Sequence, residues 1–580
     1  MRLVRFRLSI ASLAALLAVA LLALALSAPA SAGTIVVTTS LDQRDGSAPC
    51  SLREAVDTAN ADANSGGCTD ANPAAADTIK LAGGDYNLRR AGAEDANASG
   101  DLDVSESLTI SGAGADLTGI DGNGAITGDR VLEISSGTLT ISGLTVHDGS
   151  SNTGGGILGF GADVELTNST VSNNASSGSG GGIEAPAVTL TDSTVSGNSA
   201  STGAGIGGGI RGLSATLTRS TVSGNNAAAS AGGIFAVTVA LTDSTVSGNS
   251  AGGVGGGIDG AGTLTDSSVR RNESGKEGGG IYTDAGSLTL NRSTVADNDA
   301  TNNAGGIFYS SPGTLSVTNS TLSGNESNGW GGALSTDEGT TNFKNATVNR
   351  NVADADANGV GDGGGLDGFG GTVNLKNTIL AGNFDRSAPE HPDWHCSGGV
   401  VSQGYNLLSS TVGCPVAPAS GDQTAADPGL GFLANNGGKT LTEALLSTSP
   451  AINTGNPATS GSGACSATDQ RGVPRSLGGR CDVGAYERVS CHGKLVNLVG
   501  TAGADHLVGT PAADGILGLG GNDVVRGGVG GDGLCGGEGN DSLSGEAGSD
   551  FLDGGGGTDA CNGGTEADQS VGCEAKSSIP

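Results

Sequence analysis

Residues 241–249 read LTDSTVSGN, and the phrase returns as LTNSTVSNN from Leu166, LTDSTVSGN from Leu190 and LTRSTVSGN from Leu217. Looser copies begin at Leu264, Leu290, Val317, Phe343 and Leu375. The apolar residue at the sixth place falls at 171, 195, 222, 246, 269, 295, 322, 348 and 380, in steps of 24, 27, 24, 23, 26, 27, 26 and 32. Between copies comes GGGI or a near variant, ending at Ile157, Ile183, Ile210, Ile234, Ile258, Ile281, Ile307, Leu334 and Leu366. A self-similar period of this size marks a stacked-repeat architecture. Short runs of Thr, Val, Ile and Leu broken by Gly, Asn and Ser read as strands between turns. Three apolar stations per copy are too few to bury a core alone, so each copy must stack on the next. The expected fold is all-β, a single-stranded parallel β-helix, its coils spaced at about 4.8 Å. The 107 glycines and 3% aromatic residues suit tight turns around a narrow aliphatic core. The Asn recurring at 174, 198, 225, 249, 272, 298, 325, 351 and 383 predicts an amide ladder at one turn.

Outward from the repeats, residues 1–32 read as a secretory signal peptide. Arg2, Arg5 and Arg7 precede an apolar run from Leu8 to Ala28 and the small residues Ala30-Ser31-Ala32. No other run approaches the length of a membrane helix, so no membrane insertion is expected after cleavage. The location expected is secreted, at the cell surface or extracellular. In an oxidising compartment an even number of cysteines reads as disulfides. The ten fall into the couples Cys50 with Cys68, Cys396 with Cys414, Cys465 with Cys481 and Cys561 with Cys573 by proximity; Cys491 and Cys535 remain and pair by elimination. The net charge is −32, and losing three leader arginines takes it to −35. That excess excludes nucleic acid and anionic membrane surfaces as partners, both of which require basic patches, and makes cations the natural ones.

Residues 33–100 form an N-terminal cap. A strand is predicted over Thr34 to Thr39 and a helix over Ser51 to Asn60, where Ser51 and Glu54 make a capping box and Leu52, Ala55, Val56 and Ala59 one apolar face. Cys50-Ser-Leu-Arg-Glu-Ala55 resembles the signature of the CSLREA domain family. That resemblance implies an exported, often β-helical surface protein, and no activity. After the repeats, taken as 101–385, residues 386–488 resemble the choice-of-anchor Q domain family. The matching segments are Ser402 to Leu407, Asp427 to Leu430, Asn435 to Gly438, Ser449 to Asn453, Asp469 to Gly472 and Cys481 to Glu487. The resemblance implies a domain that ends a right-handed, pectin-lyase-like solenoid in bacterial surface proteins. Within it, Asp469, Arg471, Asp482 and Glu487 read as an internal ion-pair network closing the rod rather than a catalytic group. His391 and His395 beside Cys396 offer a zinc alternative to the disulfide.

From 489 to 575 a second period, of nine, takes over. Asp recurs at 505, 514, 523, 532, 541, 550, 559 and 568 without a slip. GLGGNDVVR from Gly518, GGVGGDGLC from Gly527 and GGEGNDSLS from Gly536 resemble the nonapeptide of haemolysin-type (RTX) calcium-binding repeats. Glycines permit sharp turns, the Asp supplies a hard anionic oxygen suited to Ca²⁺, and the apolar place (Leu507, Ile516, Val525, Leu534, Leu543, Leu552) points into a thin parallel β-roll. The resemblance implies two nonapeptides per turn. Asp505, Asp523, Asp541 and Asp559 then line one edge and Asp514, Asp532, Asp550 and Asp568 the other, all eight as metal ligands. Nine Asp and four Glu against three Lys or Arg in residues 489–580 oppose folding without a cation. Calcium is therefore the expected cofactor, with affinity in the ~0.1–1 mM range of extracellular modules. Thr510 and Ala512 replace glycines in one outer copy, and Cys561 takes an apolar place in another.

Parallel β-helices also include pectin-degrading lyases and hydrolases. On the repeats, Asp192, Asp243 and Asp266 share one place without converging on a carboxylate pair, and no catalytic residue is singled out. Phe235, Tyr282, Phe308, Tyr309 and Trp330 beside Arg270, Arg271 and Lys276 offer a face that could stack sugars, but the favoured reading is aromatic stacking along the surface of the rod. The sequence thus reads as a calcium-stabilised, monomeric rod with a structural, adhesive or cell-envelope duty, its partners cell-envelope polysaccharide or another surface protein. The alternative is a polysaccharide lyase, glycoside hydrolase or carbohydrate binder using residues 270–330.

Overall fold

The computed structural model describes residues 33–579 apart from 47, 71–76, 93–94, 388–394, 413, 415, 459, 462 and 476–479. The leader read over 1–32 and His391 lie outside the described residues. The chain is nearly all β, and its repeats stack as parallel strands in three sheets of 21, 14 and 10 strands. LTDST-type phrases hold register from copy to copy. Leu190 pairs with Leu217, Leu217 with Leu241 and Leu241 with Leu264 in the largest sheet, while Val195, Val222 and Val246 pair in the second. The third sheet takes two-residue strands such as Ser199–Ala200 and Asn226–Ala227. Each of the three apolar stations becomes a buried column. Ile183, Ile210 and Ile234, Leu190, Leu217 and Leu241, and Val195, Val222 and Val246 are all at most 1% exposed.

Two polar ladders bind the copies at their bends. In the first, each Asn side-chain amide donates to the carboxamide oxygen of the next Asn. The chain runs unbroken from Asn174 through Asn198, Asn225, Asn249, Asn272, Asn298, Asn325 and Asn351 to Asn383, at 2.8–3.0 Å. The same oxygen also accepts the backbone N–H of the preceding Asn, as Asn225 Oδ1 does from Asn198 at 2.9 Å. The ladder ends on His395, whose Nδ1 accepts the Asn383 N–H at 3.2 Å while Nε2 meets Ser409 Oγ at 2.8 Å. His395 therefore terminates the ladder, and Cys396 is disulfide-bonded to Cys414, which corrects the zinc alternative. The GGG phrase exists to make room: a Cβ on Gly257 would lie 2.7 Å from the Gly280 oxygen and 2.9 Å from the Asn272 carboxamide.

In the second ladder, backbone N–H groups of Ser193, Ser220 and Ser244 donate to the hydroxyls of Ser220, Ser244 and Ser267 at 3.1 Å. The residue before each Ser carries the left-handed bend, with φ of 50° at Asp192, 48° at Arg219, 51° at Asp243 and 51° at Asp266. Asp and Asn tolerate that conformation. Arg219 and Arg292 occupy it with both guanidinium arms on the carboxylate one repeat earlier, Asp192 and Asp266, at 2.7 Å. The shared Asp place is thus a turn position.

The first copies are covered by the helix Leu52–Ala61, with its Ser51–Glu54 capping box and Leu52, Ala55, Val56 and Ala59 buried. Arg53, 1% exposed, pins it by pairing with Asp42 at 2.7 Å and donating to the Asp101 and Gly100 carbonyls. At the other end, the segment around 439–485 does more than close the last copy: it folds back along the flank of the 14-stranded sheet. Lys439 reaches Asp243, Thr294 Oγ1 donates to the Leu441 carbonyl, Thr321 Oγ1 to Gln470, Ser323 Oγ to Glu443, and Ala485 N–H to Thr347 Oγ1. Arg471 is buried against Asp469 at 2.9 Å with its guanidinium 3.7 Å over the Tyr486 ring, and Arg475 pairs with Glu487 at 3.1 Å. Arg475 is a member of this network that sequence reading missed. Asp482 accepts the Asn453 and Arg488 amides, and burial pushes the Glu487 carboxyl up to about 8. All five disulfides form as expected: Cys50–Cys68, Cys396–Cys414, Cys465–Cys481, Cys491–Cys535 and Cys561–Cys573.

Candidate metal centre

The nine-residue period converts directly into two facing sheets of six and five strands. Register advances by eighteen: Ile516 pairs with Leu534 and Leu534 with Leu552 on one side, Val525 with Leu543 and Leu543 with Cys561 on the other. Two nonapeptides therefore make one turn. The apolar residues Ile516, Val525, Leu534, Leu543, Leu552 and Cys561 close the thin core at 0–2% exposure.

That register stacks the aspartates in two rows. Backbone N–H of Asp505 donates to Asp523 Oδ1, Asp523 to Asp541 and Asp541 to Asp559, at 2.7–2.8 Å. On the opposite edge Asp514 donates to Asp532, Asp532 to Asp550 and Asp550 to Asp568, at 2.8–2.9 Å. All but Asp505, which is half-buried, are at most 4% exposed. One carboxylate oxygen is satisfied in this way and the other is not: Oδ2 of Asp523, Asp532, Asp541, Asp550, Asp559 and Asp568 is buried without a hydrogen-bond partner. Buried acceptors left unpaired are costly, and charged ones more so. Burial raises the carboxyls of Asp523, Asp532, Asp541 and Asp550, and neighbouring aspartates push in the same direction.

The orphaned oxygens converge with main-chain carbonyls. A Cβ built on Gly536 would lie 2.3 Å from Asp541 Oδ2 and 2.7 Å from the Gly554 oxygen; on Gly545, 2.3 Å from Asp550 Oδ2 and 2.5 Å from the Gly563 oxygen. The space beside each glycine is thus walled by one anionic and one neutral hard oxygen, the donor set Ca²⁺ prefers. The sharp bends between strands require φ of +134° at Gly539 and +139° at Gly548. Leu519 and Glu546 enter the left-handed region at +79° and +70°, places where other copies carry glycine.

The aromatic and basic residues do not gather on one face as a set. Phe308 is 6% exposed and stacks on Tyr282 at 5.5 Å, while Tyr309 is fully buried with its hydroxyl on the Gly286 carbonyl. Phe235, Tyr282 and Phe308 lie in the 21-stranded sheet; Arg270 lies in the 14-stranded one, beside Lys439 and Thr440. Arg270 is therefore on a different sheet from Phe235, Tyr282 and Phe308, because the strand of the repeat that carries it differs. Among the described residues no helix is long and apolar enough to cross a membrane.

No curated protein and no solved structure matches the chain. Residues 499–534 and 536–569 match the family model of the RTX calcium-binding nonapeptide repeat in its four-copy form. The C-terminal stretch of this chain carries RTX calcium-binding nonapeptide repeats.

Proposed function

We propose that the protein is an exported or surface-associated calcium-binding rod with a structural, adhesive or cell-envelope role. The stack of repeats is read as a right-handed, pectin-lyase-like parallel β-helix over 101–385, flanked by CSLREA-like (33–100) and choice-of-anchor Q-like (386–488) caps, with a calcium-ordered β-roll over 489–575. The observation that carries the reading is the double row of buried aspartate oxygens without partners in a stretch matching calcium-binding repeats. Asp505, Asp514, Asp523, Asp532, Asp541, Asp550, Asp559 and Asp568 would hold the ions, together with glycine carbonyls. Calcium supplies the positive charge that lets these carboxylates stay ionised while buried. The chain's own part is to hold them: the eighteen-residue register fixes Oδ1 on an amide and leaves Oδ2 turned to the glycine cradle. In a calcium-poor compartment the acidic repeats repel one another, and after export the ion orders them.

The test is hydrogen exchange of the full chain with and without calcium, followed by mass spectrometry. The expected result is calcium-dependent protection of residues 499–569, abolished in D523A/D532A/D541A, with the repeats from 166 to 383 protected in both conditions. Equal protection of the tail in chelator would overturn the calcium reading and leave only the rod. Binding of envelope polysaccharide or a surface protein would then be sought along the rod.

A further inference from the structure

One repeat breaks the period. The step from Val348 to Leu380 is 32 residues where its predecessor is 26, and the extra length falls in Asp354-Ala-Asp-Ala-Asn-Gly-Val-Gly-Asp362. The spacing D-x-D-x-N-G is the opening of a calcium-binding loop, in which alternate residues offer oxygens to one ion and glycine permits the turn. Asp354, Asp356 and Asn358 stand at the first, third and fifth places, Gly359 at the sixth with φ of +83°, Val360 at the seventh, where the backbone carbonyl is used, and Asp362 at the ninth. The twelfth place, which in such loops holds a carboxylate, is Gly365.

The missing carboxylate comes from the following repeat. Asp385 pairs in register with Ala353, next to Asp354, and is fully buried. Its Oδ1 accepts the Ser387 hydroxyl at 2.6 Å, and that hydroxyl also reaches the Gly361 carbonyl at 3.0 Å, so the carboxylate lies against the loop. Its Oδ2 is buried without any hydrogen-bond partner. Asp354, also fully buried, folds the loop by accepting the Asn358 and Gly359 amides at 2.9 and 3.0 Å. Among the described residues no lysine or arginine pairs with Asp354, Asp362 or Asp385; Arg386 spends its guanidinium on the Ala355 carbonyl. Burial raises both Asp362 and Asp385, with Asp385 acting on the first and Asp354 on the second.

We propose that residues 354–362 and Asp385 form a calcium site on the side of the repeat stack, separate from the C-terminal nonapeptides. Asp354, Asp356, Asn358, the Val360 carbonyl, Asp362 and Asp385 would supply the oxygens, six in all, within the six to eight that Ca²⁺ takes, the ion drawing in carboxylates that stand farther apart without it. The site bridges two successive repeats at the inserted loop. It does not depend on the tail reading.

Terbium, a calcium mimic, gives a test that the tail cannot contaminate. Trp330 lies between Gly329 and Gly331, which hydrogen-bond to Asp354 and Asp362 at 3.1 and 3.0 Å, whereas residues 489–580 hold no Trp or Tyr. In the full chain carrying W394F, Trp330 is the only tryptophan. Excitation of that indole should give terbium emission that saturates with one ion and is displaced by calcium. D385N and D354N should weaken it at least tenfold; D356N, at an exposed position that does not threaten folding, should weaken it several-fold. D523A/D532A/D541A should leave it unchanged. Absent emission, emission indifferent to D356N, or emission lost with the tail variant would each overturn the proposal.

Discussion

Asn225 and Asn226 are chain neighbours with opposite circumstances, and substituting each by alanine tests what the amide ladder contributes. Asn225 is 1% exposed, and its Oδ1 accepts both the backbone and side-chain N–H of Asn198 at 2.9 Å. Its own amide donates to Asn249 Oδ1 at 2.9 Å and to the Val195 carbonyl at 3.0 Å. Asn225→Ala leaves the Asn198 backbone N–H and one of its side-chain hydrogens without an acceptor in a strip closed to water. At about 1–3 kcal/mol per orphaned buried group, the loss is about 2–6 kcal/mol. Asn226 is exposed, so Asn226→Ala should stay within about 0.5 kcal/mol. The assay is denaturant-dependent hydrogen exchange of peptides covering 190–230, in calcium, which reads the local opening free energy that a repeat protein loses near the lesion. If the two variants open within 0.5 kcal/mol of each other, the ladder does not hold the copies together and the apolar columns alone do.

Gly539→Ala should unfold the C-terminal repeats, since its Cβ would lie 1.7 Å from the Gly521 oxygen at a φ of +134°; circular dichroism with saturating calcium reads the lost β signal. In chelator, the folded values of Asp523, Asp532, Asp541 and Asp550 lie above the unfolded ones. Folding is therefore penalised at neutral pH, and the penalty is lifted as pH falls through the raised values to the ordinary carboxylate value of about 4. Calorimetry should find the calcium-free tail melting higher at pH 5 than at pH 7.5; with calcium bound, protons compete with the ion and the order reverses. Arg471→Met leaves Asp469 buried without its cation and should cost about 3–5 kcal/mol, read as exposure of 430–488 to protease while the repeats remain intact.

The repeats were legible because the same residue type returns at the same place and register does the rest. Leu217 on Leu241 and Asn225 on Asn249 follow from spacing alone. The two aspartate rows were legible for the same reason. What spacing does not encode is contact without a period. Gln470 reaching Thr321, or Glu443 reaching Ser323, depends on a chain reversal of well over a hundred residues. The burial of Phe308 was missed because strand alternation places it outward while the stacked Tyr282 ring covers it. His395 was read beside a cysteine and so weighed as a zinc ligand; its role as the last acceptor of the ladder appears only when Asn383 is placed beneath it. The loop at 354–362 carried its signal as a lapse in the period, with Asp385 supplied from the next repeat.

The amide ladder has a direction. From Asn174 to Asn351 one side-chain N–H of each carboxamide points toward the next repeat in the chain, as do the backbone N–H groups that share its acceptors, while the other side-chain N–H donates back to a carbonyl of the preceding repeat, as Asn225 does to Val195. The two ends of the stack are therefore chemically unlike: the early end offers an oxygen, taken by the Gly149 N–H, and the late end offers an N–H, taken by a histidine ring. Whole repeats can be gained or lost by gene duplication without disturbing this vector, because each new carboxamide presents the same acceptor and the same donor. The length of the molecule is in this sense a free variable for evolution, while its termini are not interchangeable and each needs its own closing chemistry.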